Sequence, residues 1–198
     1  MKDELLLHIC CGPCSIYPVE VLKKKGVNFK GLFYNPNIHP FLEFERRVQA
    51  LEEITEVLGF EVIYHPNGYG LHQWLEGVWS KCANRPGRCH RCYEMRLEET
   101  ARISKELGFT CFSSTLLYSI YQDHDAIREI GNGVARTHGL KFYYEDFRAG
   151  WKEGKDRART IGIYTQPYCG CILSEEERYK KRIERQRKRF REEVRKGP

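Results

Sequence analysis

Seven of the nine cysteines in this chain fall into three short groups: Cys10-Cys11-Gly12-Pro13-Cys14, Cys89-His90-Arg91-Cys92 and Cys169-Gly170-Cys171. Thiolates bind soft and borderline metals and are the usual ligands of iron–sulfur clusters. A structural zinc takes four ligands, so seven clustered thiols exceed one such site. The expectation is a cluster with a second metal beside it. Cys11-Gly12-Pro13-Cys14 alone also has the form of a thioredoxin-type dithiol, in which a helix N-terminus lowers a thiol pKa for disulfide exchange. The adjacent Cys10 and four further close-spaced cysteines weigh against that reading. Cys111 lies in an apolar run and reads as a small core residue, and Cys82, seven residues before Cys89, as a bystander.

The bulk properties set the context. With 198 residues and 41% hydrophobic content, the chain suits a single domain over residues 1–198 with a full core. The sequence has no run that would span a membrane. Residues 5–9 are too short for a signal peptide's apolar region and follow Asp3 and Glu4 instead of a basic stretch. The expected compartment is therefore the cytoplasm, where clustered cysteines are more often metal ligands or redox catalysts than disulfides. Charge is uneven. Residues 175–196 hold 11 Lys or Arg against 6 Glu, which leaves +5 of the formal +6. Residues 174–196 read as a basic helix, capped by Ser174 and with glutamates at the positive end of its dipole. Two interpretations stay open for it: a solvated, ion-paired helix, or an arm that contacts nucleic-acid phosphates.

Strands and helices alternate along the chain. An apolar run at 5–10 ends in the first cysteine group, and 15–25 then reads as a helix closed by Gly26. A strand at 28–34, a long amphipathic helix at 41–58 ended by Gly59, and a strand at 60–64 follow. After a loop with Pro66, Asn67, Gly68 and Gly70, helical pattern resumes at 72–78, breaks at Pro86-Gly87 and returns over 92–107. A strand at 109–114, a helix at 123–138 and a short strand at 140–143 complete the pattern, before a Gly- and Arg-rich stretch. The order predicts an α/β fold: a Rossmann-like parallel sheet flanked by helices. In such sheets ligands bind beyond the carboxyl ends of the strands, where Cys10, Cys11, Asn35 and Pro36 fall, and the loops carrying the other cysteines would reach over the same rim.

Longer motifs surround these residues. His8-Ile9-Cys10-Cys11-Gly12-Pro13-Cys14, Tyr34-Asn35-Pro36-Asn37-Ile38-His39-Pro40, Arg88-Cys89-His90-Arg91-Cys92-Tyr93-Glu94-Met95-Arg96-Leu97 and Gln166-Pro167-Tyr168-Cys169-Gly170-Cys171 together resemble the QueH-type epoxyqueuosine reductases. Residues 114–122 and 144–148 extend the resemblance over nearly the whole chain. Two positions depart from it: the family commonly has Pro at Ile120 and Arg at Thr165. The resemblance implies the last step of queuosine formation, reduction of the epoxide of epoxyqueuosine at the tRNA wobble base, with two electrons and two protons consumed and water lost. It also implies a 4Fe–4S cluster, an adjacent mononuclear metal taken to be iron, and a fold related to the adenine nucleotide alpha hydrolases. Where ATP pyrophosphatase relatives place a Ser-Gly-Gly-x-Asp-Ser phosphate loop, this chain has Cys-Cys-Gly-Pro-Cys-Ser.

Within that reading, the metal ligands are Cys10, Cys11, Cys14, Cys89, Cys92, Cys169 and Cys171, with their partition between the two centres open and Cys89 and Cys92 assigned to the cluster. His39, Tyr121 and Tyr168 are candidate catalytic groups, His39 because its pKa can lie near neutrality. Asn35, Asn37, Gln122 and His124 are candidate substrate contacts, and Arg157 and Arg159 candidate contacts to tRNA phosphates. His8, two residues before Cys10 on one strand, shares a face with it. The expected partners are tRNA carrying epoxyqueuosine and an unidentified electron donor, with no membrane. A thiol–disulfide protein, a non-enzymatic cluster-storage protein and a heterodisulfide reductase-like electron carrier are the alternatives.

Overall fold

The computed structural model describes residues 4–79 and 84–196, so Cys82 lies outside the described residues. Five strands form one sheet: β1 (Glu4–His8), β2 (Asn28–Phe33), β3 (Val62–Tyr64), β4 (Cys111–Ser114) and β5 (Lys141–Phe142). All pairings are parallel and the order is β3-β2-β1-β4-β5. Seven helices surround it: α1 (Gly12–Lys24), α2 (Phe41–Leu58), α3 (Leu71–Trp79), α4 (Arg85–Glu106), α5 (His124–His138), α6 (Trp151–Ile161) and α7 (Ile172–Lys196). This is the α/β, Rossmann-like parallel sheet flanked by helices that the alternation predicts.

The central strand is apolar on both faces, as a parallel strand covered by helices must be. Leu5 and Leu7 pack with Val19, Leu22 and Leu51 of α1 and α2, while Leu6 packs with Leu32 and Phe109. Helix α1 lies against α2 and α6, and α4 against α5, β1 and β4. The chain turns to opposite sides of the sheet between β1 and β4, which makes their carboxyl ends the topological switch point where open sheets of this type bind ligands. His8 bolts that point. It sits opposite Leu32 and Ser114 in register, with Nδ1 2.8 Å from Ser114 Oγ and Nε2 3.0 Å from the Tyr34 carbonyl. Burial holds its pKa down to about 4, with Arg96 pulling the same way, so the ring is a neutral cross-strand brace.

Boundaries agree with the sequence where punctuation is strong. α2 ends at Gly59 in the left-handed conformation (φ 64°), which accepts no side chain cheaply. The sequence reading fails at Pro86-Gly87: α4 starts at Arg85 and runs straight through them. Asn84 Oδ1 accepts from the Gly87 amide at 3.0 Å, and a proline in the first turn forfeits no helix hydrogen bond. Cys89 therefore sits on a helix, not in a rim loop. α6 also went unseen in the sequence, because Gly154 interrupts its pattern. A Cβ at Gly154 would lie 2.5 Å from the Tyr118 hydroxyl, so packing demands the glycine.

α1 begins directly beneath the first cysteine group. Cys11 is its N-cap and Pro13 lies in its first turn. A Cβ on Gly12 would come within 2.5 Å of the Ala50 carbonyl oxygen of α2, backbone that cannot step aside. Gly12→Ala is expected to cost about 1–3 kcal/mol, the usual penalty for overpacking; urea denaturation measures it, and a midpoint within error of wild type would contradict the close approach.

Candidate metal centre and active site

The first cysteine group forms a compact set of donors. The sulfurs of Cys10, Cys11 and Cys14 lie within 4.8 Å of one another, with 3.9 Å between Cys10 and Cys11. Cys10 Sγ also accepts from the Thr115 hydroxyl at 3.3 Å, and the Thr115 Oγ1 accepts from the Cys10 amide at 3.0 Å. Hydrogen bonds from Cys11 and Cys14, then from Thr115, hold the Cys10 thiol pKa well below its ordinary value, whereas burial, then Cys10 itself, pushes Cys11 up. The group thus favours the anionic form at Cys10 over its two neighbours, and a soft cation binding there displaces the protons that the thiols retain. Gln166 Nε2 lies 2.8 Å from Cys11 Sγ and supplies a donor to it. Three convergent thiols with a cradle of donors fit a soft or borderline metal ion.

The remaining four clustered cysteines lie close enough to interact, Cys169 with Cys171 and Cys92, and Cys89 with Cys92 and Cys171. Cys89 and Cys92 are three residues apart on α4 and so share a face. Cys92 and Cys171 are buried in one apolar cluster with Trp74 and Val78, and the Trp74 indole N–H points at Cys92 Sγ at 3.4 Å. Burial, then the charge of Cys92, raises the Cys89 thiol, with Cys171 adding to it. Cys169 opens to solvent at the mouth; the surrounding wall nevertheless pushes its thiol up to about 11, against the pull of Arg96.

Two buried cations face these sulfurs. Arg96, one turn beyond Cys92, is almost wholly buried and feels the charges of Cys92, Cys169 and Cys10. Arg47 on α2 pairs with Glu43 at 2.8 Å, donates to the Cys169 carbonyl at 2.8 Å and to the Tyr168 carbonyl at 3.1 Å, and feels Cys11 and Cys169. Glu43 is completed by the Tyr164 hydroxyl at 2.6 Å. Gly170, at φ 142°, lets the turn pass: a Cβ there would sit 3.1 Å from an Arg47 nitrogen and 3.2 Å from Asn37 Nδ2. The sequence reading missed both arginines; their spacing, Glu43 to Arg47 and Cys92 to Arg96, is the i,i+4 signal that marks them as inward partners.

The other sequence candidates divide. Gln122 joins the centre, with Oε1 accepting from Tyr93 at 2.8 Å and Nε2 3.8 Å from Cys169 Sγ. His39 is buried edge-on against Trp74; its Nε2 lies 2.8 Å from the Pro36 carbonyl, its amide donates to the Gly170 carbonyl, and burial lowers its pKa. Its Nδ1 has no partner, nor do Asn35 Oδ1, Asn37 Oδ1 and Gln166 Oε1, all buried acceptors. Asn35 Nδ2 donates to the Ile9 carbonyl at 2.8 Å. Tyr168 spends its hydroxyl on the His39 carbonyl at 2.7 Å, and burial raises its pKa, so it serves to lock two loops together. Tyr121 is exposed and edge-on to Trp151. His124 is buried, 3.3 Å from the Ser119 carbonyl, and its pKa is lowered by burial. Arg157 pairs with Glu20 and Arg159 with Asp156 on and beside α6. Ser174 is not a helix cap: α7 starts at Ile172, and the Ser174 hydroxyl donates to the Cys171 carbonyl at 2.7 Å, while its amide lies 3.3 Å from Cys171 Sγ. Cys171 thus takes the capping position. Cys111 is a buried strand residue, as expected.

The sequence model of the family described as "Epoxyqueuosine reductase QueH" matches residues 5–177, a span that includes all seven clustered cysteines. The chain belongs to this family. It is 35% identical over 181 residues to the Epoxyqueuosine reductase QueH of Dehalococcoides mccartyi, covering 91% of this chain and 97% of the relative. The Thermotoga maritima QueH is 33% identical over 190 residues, covering 93% and 97%. Among solved structures, a predicted subunit of tRNA methyltransferase from Methanocaldococcus jannaschii superposes with a TM-score of 0.52 at 12% identity, covering 90% of this chain and 87% of that one, which is a likeness of fold. QueH membership leaves the dithiol and storage alternatives unfavoured.

Removing Arg47 would leave Glu43 as an uncompensated buried charge. Arg47→Met is expected to lose about 3–5 kcal/mol in urea denaturation, and the double variant with Glu43→Gln distinctly less; equal losses for single and double variants would sink the pairing argument.

Proposed function

We propose that this chain reduces epoxyqueuosine to queuosine in tRNA, and that its seven clustered thiols divide as four and three. Cys89, Cys92, Cys169 and Cys171 hold a 4Fe–4S cluster, and Cys10, Cys11 and Cys14 hold an adjacent iron. The observation that carries the reading is the convergence of the Cys10, Cys11 and Cys14 sulfurs within 4.8 Å beyond the end of β1 in a chain of this family, with Cys89, Cys92, Cys169 and Cys171 near enough to one another to interact. The partition follows from spacing: the corners of a cubane hold their ligands further apart than one ion does, and the first group is the compact one.

When bound, such groups supply single electrons and a Lewis-acidic position for the epoxide oxygen. The chain's own residues supply the rest. Arg96 and Arg47 offset the negative charge of sulfur at the floor of the site. Asn35 Oδ1, Asn37 Oδ1 and His39 Nδ1 are acceptors whose lack of partners costs on the order of 1–3 kcal/mol each unless a bound group donates to them, and hydroxyls of the modified base are suited to do so. With Nε2 engaged by the Pro36 carbonyl, His39 is neutral and presents Nδ1 as an acceptor, which suits it to orient substrate more than to give up a proton. Gln122 steadies Cys169 at the mouth, and Tyr121 offers an exposed ring beside it for a neighbouring base. No helix of the described residues is long and apolar enough to cross a membrane. We take the setting to be the cytoplasm and the electron donor to be a separate protein or small reductant.

Anaerobic reconstitution with iron and sulfide, iron counting and nucleoside analysis of epoxyqueuosine-containing tRNA under reduction test this. Cys89→Ser or Cys92→Ser should abolish the cluster's visible absorption and the activity, while Cys14→Ser should lower iron content by about one and leave that absorption in place. A protein holding a single tight zinc with full activity would overturn both the cofactor and the partition.

A further inference from the structure

The family match ends at residue 177, but α7 continues to Lys196 and carries most of the chain's net positive charge. Arg178, Lys181, Arg182, Arg185, Lys188 and Arg189 are linked to one another by three- and four-residue spacings, so they form a row along one side of the helix. Like charges at those steps destabilise a helix by a few tenths of a kcal/mol per pair. On the other side Glu184 stands between Lys180 and Arg187 and relieves the repulsion there. In the row, Lys188 and Arg189 are paired with Glu192 and Glu193, whereas Arg178, Lys181, Arg182 and Arg185 are exposed and make no ion pair with any described residue. Four neighbouring exposed cations that cost helix stability and pair with no described carboxylate are matched to an external polyanion. Its position limits the choice: the helix starts at Cys171 of the thiol centre, and its first turn is strapped to α4 by Glu177 with Arg88 at 2.7 Å. From Arg178 to Arg189 the row runs roughly 16 Å outward at 1.5 Å per residue.

We propose that this row is a docking rail for the phosphate backbone of the tRNA anticodon arm, which holds the stem while the wobble base enters the thiol centre; the choice of tRNA rests on the function proposed above. The charge row selects a phosphate ladder over a protein partner, and each contact releases a condensed counterion.

The test uses the full-length chain and a fluorescently labelled, unmodified anticodon-arm hairpin, titrated from low to high salt. The variant Arg178→Gln/Lys181→Gln/Arg182→Gln/Arg185→Gln should bind more weakly and flatten the slope of log K against log salt by about 3, as expected for four lost phosphate contacts. The control variant Lys180→Gln/Arg187→Gln/Arg191→Gln/Arg195→Gln, with the same change in net charge, should flatten it by less than about 1. Equal changes in the two variants, or none in either, would overturn the rail. So would loss of binding to anionic phospholipid vesicles in the row variant with hairpin binding intact. Because the hairpin carries no epoxyqueuosine, a chain that docks it by this row yet reduces nothing would overturn the proposed activity and leave the rail standing.

Discussion

A thiolate buried in protein gives up hydration worth several kcal/mol, and several such anions at one sheet edge repel one another as well, so opposite charge must be built around them. This chain supplies it from three sources. The N-terminus of α1 lies at Cys11 and Cys14, and that of α7 at Cys171, whose sulfur meets the Ser174 amide as a serine cap would. Helix N-termini carry partial positive charge and stabilise thiolates. Arg96 and Arg47 add two full charges from below, and Arg88 a third beside Cys89 and Cys171. The arginines are in turn held by Glu43, Glu177 and the carbonyls of Tyr168, Cys169 and Cys92.

That arrangement depends on the sheet. A parallel sheet of order β3-β2-β1-β4-β5 opens a crevice where the chain reverses direction across it, and both β1 and β4 end there. His8 and Ser114 tie the two ends, and Thr115 carries the tie on to Cys10. A fold that elsewhere presents helix N-termini to phosphate oxygens here presents them to sulfur, with the same electrostatic logic and a different ligand. The compact fit of Gly12 on α2 and of Gly170 between Arg47 and Asn37 sets how close the two thiol-bearing segments come.

Most of the fold was legible because its punctuation is local. Apolar runs gave the central strands, and Gly26 and Gly59 gave helix ends at positive φ. The errors share a cause: each involves a residue whose role is set by something distant in sequence. Pro86 and Gly87 look like a break until Asn84 is seen to cap them, and Gly154 looks like a loop until Tyr118 is packed over it. The convergence of Cys10, Cys11 and Cys14 was legible from type and spacing. Arg47 and Arg96 were not, because an arginine on a helix reads as surface unless its partners are known. Arg157 and Arg159, chosen as phosphate contacts, turn out to have local carboxylates to satisfy them, while Arg178, Lys181, Arg182 and Arg185 of α7 make no ion pair with any described residue.

The two thiol groups are not electrostatically independent. Arg96 faces Cys10 of one and Cys92 and Cys169 of the other, and Arg47 faces Cys11 of one and Cys169 of the other. A fixed cation shared by two anionic sites screens their mutual repulsion and lowers the cost of adding negative charge to either. In a low-dielectric pocket that effect is several-fold larger than in water. Conversion of an epoxide to an olefin takes up two electrons, breaks both C–O bonds and places two protons on the departing oxygen as water, so a site that accumulates negative charge must hold it until protons arrive. The guanidinium pair is built for that interval, because neither arginine can give up its own proton.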